Sequence, residues 1–319
     1  MAHSVEIDHS RARGAAMFYE LLRAMRPKDW IKNVFVFAAL VFSTNREWKQ
    51  PERVLLVVAA FVLFSMVASS IYLINDLVDI EKDRAHPKKR YRPLASGKLS
   101  PKVAIVAAIV LLGTALPMAF VIDMKPDHTW WQNANFGTTL IIYLVVQGIL
   151  YSYYLKHMVI LDIFTIAAGF VLRAVAGAQI LDINITPWLL MCMGLLALFL
   201  GAAKRRAELV LLQEGAGEHR RILEEYSLPM LDQMMSIITA ATLIAYTLFT
   251  TLAPTLPHND FPTMMITVPF VVYAIFRYLY LIYRHGGGGN PADLLLGDRP
   301  FAISIVLWGL TVLAILAVG

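Results

Sequence analysis

A chain of 319 residues that is 58% hydrophobic and only 16% charged, with a mean hydropathy of +0.61, is too apolar for a soluble domain of this size. Its 28 basic and 23 acidic residues fall in short clusters between long apolar runs. That is the layout of a polytopic helical membrane protein, and it excludes a disordered chain, a collagen-like chain and a disulfide scaffold. The isoelectric point near 9.2 does not signal nucleic-acid binding, because the basic residues flank apolar runs instead of forming one free domain.

Residues 1–25 are polar and basic, with no apolar core of signal-peptide length. They read as a cytoplasmic arm carrying a short amphipathic helix, and no cleaved leader is expected. A hydrocarbon core about 30 Å thick takes roughly 20 helical residues to cross. The spans expected on that basis lie near 30–43, 53–76, 102–122, 136–155, 160–180, 186–203, 232–252, 263–283 and 300–318. The fold class is therefore all-α, a bundle of about nine transmembrane helices over 26–319, with cytoplasmic loops at 77–101 and 204–231. Pro27 suits the first turn of the first span, while Pro117 and Pro269 are expected to kink theirs. Cys192, the single cysteine, sits inside an apolar run and reads as a buried small hydrophobe. Gly286–Gly289 reads as a linker, since no strand precedes it to make a phosphate loop.

Of the 28 basic residues, 22 belong to the N-terminal arm or to the loops and edges after the second, fourth, sixth and eighth spans. Arg46, Lys49, Arg53 and Lys125 lie on the opposite side, and Arg173 and Arg277 lie within spans. The asymmetry places the N-terminus in the cytoplasm and the C-terminus outside.

Between the second and third spans the chain reads Asn75-Asp76-Leu77-Val78-Asp79-Ile80-Glu81-Lys82-Asp83-Arg84. If the helix continues to Asp83, steps of three and seven residues bring Asp76, Asp79 and Asp83 into one stripe. Such a like-charge cluster calls for a cation, and hard oxygen donors at a membrane boundary suit magnesium, with manganese the other candidate. Magnesium keeps waters and takes only one or two carboxylates plus phosphate oxygens, so the stripe suggests a metal–diphosphate clamp. The plainer reading is a solvated acidic helix end balanced by Lys82 and Arg84. Against it, the loop continues with Lys89, Arg90 and Arg92, cations within reach of any phosphate held by the carboxylates. Tyr72, one turn before Asp76, is a candidate lining residue.

Asn75-Asp76, Asp79 and Asp83, followed by Arg92-Pro93-Leu94 and Gly97, resemble the first signature of the UbiA superfamily of intramembrane prenyltransferases. The resemblance implies nine transmembrane helices around a cavity open to lipid. Three further segments sharpen it: Arg26-Pro27-Lys28-Asp29-Trp30-Ile31-Lys32-Asn33, Lys204-Arg205-Arg206-Ala207-Glu208-Leu209 and Asp298-Arg299-Pro300. Together they are similar to members that move a 5-phosphoribosyl group from phosphoribosyl diphosphate (PRPP) to a long-chain polyprenyl (decaprenyl) phosphate, a step toward the lipid-linked arabinose of cell-wall arabinan. Magnesium is then the implied cofactor, and Asp76, Asp79 and Asp83 its ligands and the catalytic residues. Lys28, Lys32, Asn33, Asn75, Lys204 and Arg205 are implied substrate contacts.

In the second half, Lys156 and His157 end the fourth span, and Asp162 opens the fifth. Arg173 follows eleven residues later, about three turns on the same face, where an arginine inside a span needs protein, water or an anion. The choice at Asp162 and Arg173 is between lining a site and forming a structural ion pair. Superfamily members that use prenyl diphosphates carry a second pair of aspartates four residues apart here, whereas this chain has Ile166 four residues after Asp162. Lys156 and Arg173 fit a phosphate or phosphoribosyl group better. The competing readings are a prenyltransferase acting on an aromatic acceptor and, outside enzymes, a membrane transporter. The lipid bilayer is the surrounding partner, and the residues favour no particular oligomeric state, a homo-oligomer included.

Overall fold

The structure, a computed structural model, describes residues 14, 16–43, 46–86, 89–124, 135–213, 221–253, 256, 261–285, 294, 295 and 297–318. All the regular elements among them are helical. In chain order, short 3₁₀ turns aside, they are α1 (16–24), a 3₁₀ helix Pro27–Phe37, α2 (Ala38–Val41), α3 (Pro51–Val78), α4 (Ile80–Ala85), α5 (Pro101–Ile122) and α6 (Asn135–Tyr153). There follow α7 (Leu161–Leu181), α8 (Pro187–Gln213), α9 (Leu228–Leu252), α10 (Val268–His285) and α11 (Arg299–Val318). Among the described residues eight helices are long and apolar enough to cross a membrane.

The difference from nine lies in the first expected span, which is a 3₁₀ helix of 11 residues continued by a four-residue α-turn. A 3₁₀ helix rises about 2 Å per residue and repeats every three residues, so fewer residues cover more of the membrane than α-helical counting allows. The three-residue repeat puts Trp30, Asn33 and Val36 on one face, and Asn33 and Val36 are buried. The sixth span is also longer than expected, since α8 runs on to Gln213, so that 204–213 is helix rather than loop. Most of the N-terminal arm, and Gly286–Gly289, lie outside the described residues.

The chain divides into two compact units, Met1–Val34 with Val58–Ser152, and Phe35–Val57 with Tyr153–Gly319. In the first, the 3₁₀ helix lies along α3 through polar rungs. Asn33 Nδ2 donates to Ser65 Oγ (2.9 Å) and Trp30 Nε1 to Ser69 Oγ (3.0 Å). Inside a bilayer every such group needs a protein partner, and these rungs fix the register between the two elements. Helix α5 buries Ala104, Ala108, Ala115 and Ala119, the small-residue stripe that lets membrane helices approach closely. Gly137 of α6 sits against the Phe120 ring, 2.7 Å from where a Cβ would be. A π-helical stretch, Leu144–Leu150, interrupts α6.

In the second unit, Gly177 of α7 lies so close to the Val36 carbonyl that any Cβ would collide with backbone. Phe35 meets Phe170 edge-on, with ring centroids 5.3 Å apart. Helix α8 packs along both α7 and α9. Arg277 of α10 forms a two-pronged bond to Asp298 (3.1 and 2.8 Å), whose Oδ1 also caps Phe301 N–H (2.8 Å) at the start of α11.

Candidate active site

The acidic stripe forms where α3 runs into α4. Asp79 N–H bonds to the Asn75 carbonyl (3.0 Å) and Asp83 N–H to the Asp79 carbonyl (2.8 Å), so the α-helical phase survives the turn at Asp79. Seven residues then return almost to the same azimuth, and one side chain reaches both Asp76 and Asp83. Arg92 Nη1 donates to Asp76 Oδ1 at 3.1 Å and to Asp83 Oδ2 at 2.7 Å. A second guanidinium comes from Arg26, whose Nη2 lies 2.6 Å from the same Asp76 oxygen and whose Cζ stands 4.6 Å from the centroid of the Tyr72 ring. Asp76 and Asp83 are only 2% and 3% exposed. Carboxylates so buried need counter-charge and hydrogen bonds together, and the two arginines supply both. Asp79, half-buried, pairs instead with Lys82 at 3.7 Å.

The loop that delivers Arg92 is itself fixed. Ser96 N–H bonds back to the Arg92 carbonyl (2.9 Å), Leu99 N–H bonds to the Pro93 carbonyl (2.9 Å), and Leu94 and Leu99 are buried. Gly97 closes the turn at φ +74°, a conformation that costs glycine nothing and other residues much. Arg26 reaches Asp76 through the fold, from a position 50 residues earlier in the chain. It stands at φ +55° just before Pro27, a position from which right-handed helix is disfavoured.

Two hard carboxylate oxygens thus converge on one cationic nitrogen. That donor set fits a magnesium ion, which takes one or two carboxylates and completes its shell with water and phosphate. Among the described residues no three His, Cys, Asp or Glu side chains are grouped to hold a metal ion, and a magnesium–phosphate site does not need three. The remaining first-unit candidates make other contacts or face solvent. Lys28 is exposed, Lys32 is engaged with Asp29 at 2.6 Å, and Asn33 is engaged with Ser65. Asn75 is half-buried, Lys89 offers its backbone N–H to His86 Nδ1 (3.2 Å), and Arg90 donates to Tyr91 Oη at 2.8 Å.

The second unit holds a polar knot of its own. Asp162 and Arg205 are both fully buried, and Arg205 Nε donates to Asp162 Oδ2. Tyr226 Oη accepts the Ile160 N–H (2.6 Å) and donates to Asp162 Oδ1 (2.7 Å), while Arg205 also reaches Glu208. Both oxygens of Asp162 are therefore used within the protein. Of the two readings open at Asp162, this arrangement favours the structural ion pair, with a partner that comes from α8, 43 residues away. Arg205, expected to touch substrate, is sealed in the same pair. Burial, followed by the bond to Asp162, pushes the Tyr226 phenol well above the ordinary tyrosine range, so it stays protonated and keeps donating. Tyr226 carried no sequence signal, since its role depends on a partner 64 residues away. Ile160 is held at φ +70°, a strained conformation for a β-branched residue, by that same phenol. Arg173 is buried, with Nη1 2.6 Å from the Gly169 carbonyl and its guanidinium 5.4 Å from the Phe170 ring centroid. Lys156 and Lys204 are half-buried, and His157 is exposed.

The family model described as UbiA prenyltransferase family matches residues 33–292. The chain belongs to the UbiA family. It is 35% identical over 297 residues to decaprenyl-phosphate phosphoribosyltransferase of Mycolicibacterium smegmatis, covering 90% of this chain and 89% of that protein. With the protein of the same name from Mycobacterium tuberculosis the identity is 33% over 301 residues, covering 94% and 95%. Among solved structures, a UbiA homologue from Archaeoglobus fulgidus bound to DMAPP and Mg²⁺ shares the fold, with a TM-score of 0.66 at 17% identity over 94% of this chain and 100% of that one. The UbiA assignment agrees with the all-helical membrane fold, and Mg²⁺ accompanies a diphosphate in the Archaeoglobus homologue.

Proposed function

We propose that this UbiA-family protein transfers the 5-phosphoribosyl group of PRPP to the phosphate of a long-chain polyprenyl phosphate, decaprenyl phosphate in the first instance, releasing diphosphate. The observation that carries the reading is the pair of buried carboxylates, Asp76 and Asp83, sharing Arg92, in a chain 35% identical to a decaprenyl-phosphate phosphoribosyltransferase. The engagement of Asp162 with Arg205 and Tyr226 supports a donor other than a prenyl diphosphate held by two acidic pairs.

Asp76 and Asp83, with Asp79 beside them, would hold magnesium, which when bound supplies positive charge to the departing diphosphate. Arg26 and Arg92 are placed to bind the phosphate oxygens, and their planar forks suit two-point contact. Lys28, Lys32, Asn33, Asn75, Lys89 and Arg90 in the first unit, and Lys156, Arg173 and Lys204 in the second, are assigned as further contacts for the anionic substrates. The acceptor phosphate is already an anion at neutral pH, so the protein has no strong base to provide. Its tasks are to align donor and acceptor and to exclude water from a sugar carbon that gains oxocarbenium character as diphosphate leaves. The active site and N-terminus are assigned to the cytoplasmic side of a bacterial plasma membrane, because 22 of the 28 basic residues belong to the N-terminal arm or to the loops and edges after the even-numbered spans, and such charge favours the cytoplasmic side.

The test is diphosphate release by purified protein in detergent, measured with PRPP and magnesium in the presence and absence of polyprenyl phosphate. Release that requires both substrates and stops on chelation supports the proposal. Release of no diphosphate under any combination refutes it.

A further inference from the structure

The first unit carries a groove of about 490 Å³ lined by Leu21, Met25, Val103, Val106, Val110 and Leu111, with Lys102 at its end. Its walls are α1 and the first half of α5. The inward side of α1 is fixed, with Ala24 in the same apolar cluster as Leu73, Leu99 and Ala104, so the groove is a feature of the packed fold. Its floor faces outward, since Val106 and Val110 are 60% and 55% exposed.

The depth of each residue follows from helix geometry. Lys102 stands in the first turn of α5, at the membrane boundary, and Leu111 lies nine residues on, about 13 Å deeper. Half of the hydrocarbon core is about 15 Å. The groove thus starts at headgroup level and ends close to the bilayer midplane, the reach of one acyl chain. Among the described residues no polar side chain lines it below the mouth, whereas the mouth is cationic. Lys102 is exposed there, and Arg23 and Lys98, paired with Glu20 at 3.5 and 4.0 Å, keep about half of their side chains in solvent.

The geometry points to a bound-lipid site: one acyl chain of an anionic phospholipid lies in this groove, with its phosphate on Lys102. The inference is independent of the proposed transfer reaction. A long polyprenyl chain would share the phosphate chemistry but is much longer than one leaflet, so the short groove favours the phospholipid.

The experiment is native mass spectrometry of the full-length protein extracted from nanodiscs holding equal amounts of phosphatidylglycerol and phosphatidylcholine. Wild type should retain phosphatidylglycerol in preference by about fivefold, the effect expected of one surface lysine on an anionic lipid. Lys102→Gln should bring the preference close to parity. Val106→Trp, which fills the groove at an exposed position and so spares the core, should lose the retained lipid. Equal retention of the two lipids by wild type overturns the inference, as does unchanged retention by Val106→Trp. Displacement of phosphatidylglycerol by added polyprenyl phosphate would also overturn it, by reassigning the groove to that substrate.

Discussion

Asp162→Asn separates a structural role from substrate binding. The substitution removes the charge opposite Arg205 where both side chains have no exposed surface. The ion pair with Glu208 survives, but that carboxylate is 27% exposed and correspondingly screened. Removing one partner of a buried ion pair costs about 3–5 kcal/mol, because the surviving charge stays in a poor solvent, whereas replacing both by apolar groups is often neutral. Tyr226→Phe, which strands one carboxylate oxygen and the Ile160 N–H, should cost about 1–3 kcal/mol. The order of stability is then wild type, then Tyr226→Phe, then Asp162→Asn, and Asp162→Leu with Arg205→Met, which strands only the neutral Tyr226 O–H, also stands above Asp162→Asn. Size-exclusion profiles of detergent-purified protein after heating at stepped temperatures read that order. If Asp162→Asn matched wild type in these profiles and lost only affinity for a phosphate-bearing substrate, Asp162 would be a ligand and the reasoning would be wrong.

Asp76→Asn and Asp83→Asn should each lower turnover by about 100-fold or more, the usual scale for losing charge stabilisation in a site, and turnover within about twofold of wild type in folded variants would remove them from the chemistry. Gly177→Ala should yield little folded protein, because the new methyl meets the Val36 carbonyl and not a side chain that can swing away; a normal yield on membrane extraction would contradict the packing. In a Cys192→Ala background, a cysteine at exposed Ser96 should be protected from an impermeant thiol reagent in intact cells and one at Asp127 labelled. The reverse pattern would invert the assigned orientation.

The apolar runs were legible because the bilayer leaves few choices of backbone, so length and hydropathy alone locate most spans. The acidic stripe was legible for a similar reason: a seven-residue spacing is local, and the backbone bonds across Asp79 preserve it. What escaped was non-local or aperiodic. The segment from Pro27 follows a three-residue repeat, so an α-helical count makes the first span too short. Asp162 could be matched in sequence only with residues of its own helix, and the true partner, Arg205, becomes adjacent when α7 and α8 pack. Arg26 stood beside a conspicuous Pro27, yet its approach to Asp76 spans 50 residues.

Donor choice tests the central claim most directly. Purified protein with magnesium should be offered labelled PRPP with polyprenyl phosphate and, in parallel, labelled polyprenyl diphosphate with an aromatic acid, and the lipid products identified by mass. The account predicts a polyprenyl phosphoryl-5-phosphoribose in the first reaction and no prenylated acid in the second. A prenylated aromatic product, with no phosphoribosyl lipid, would contradict it.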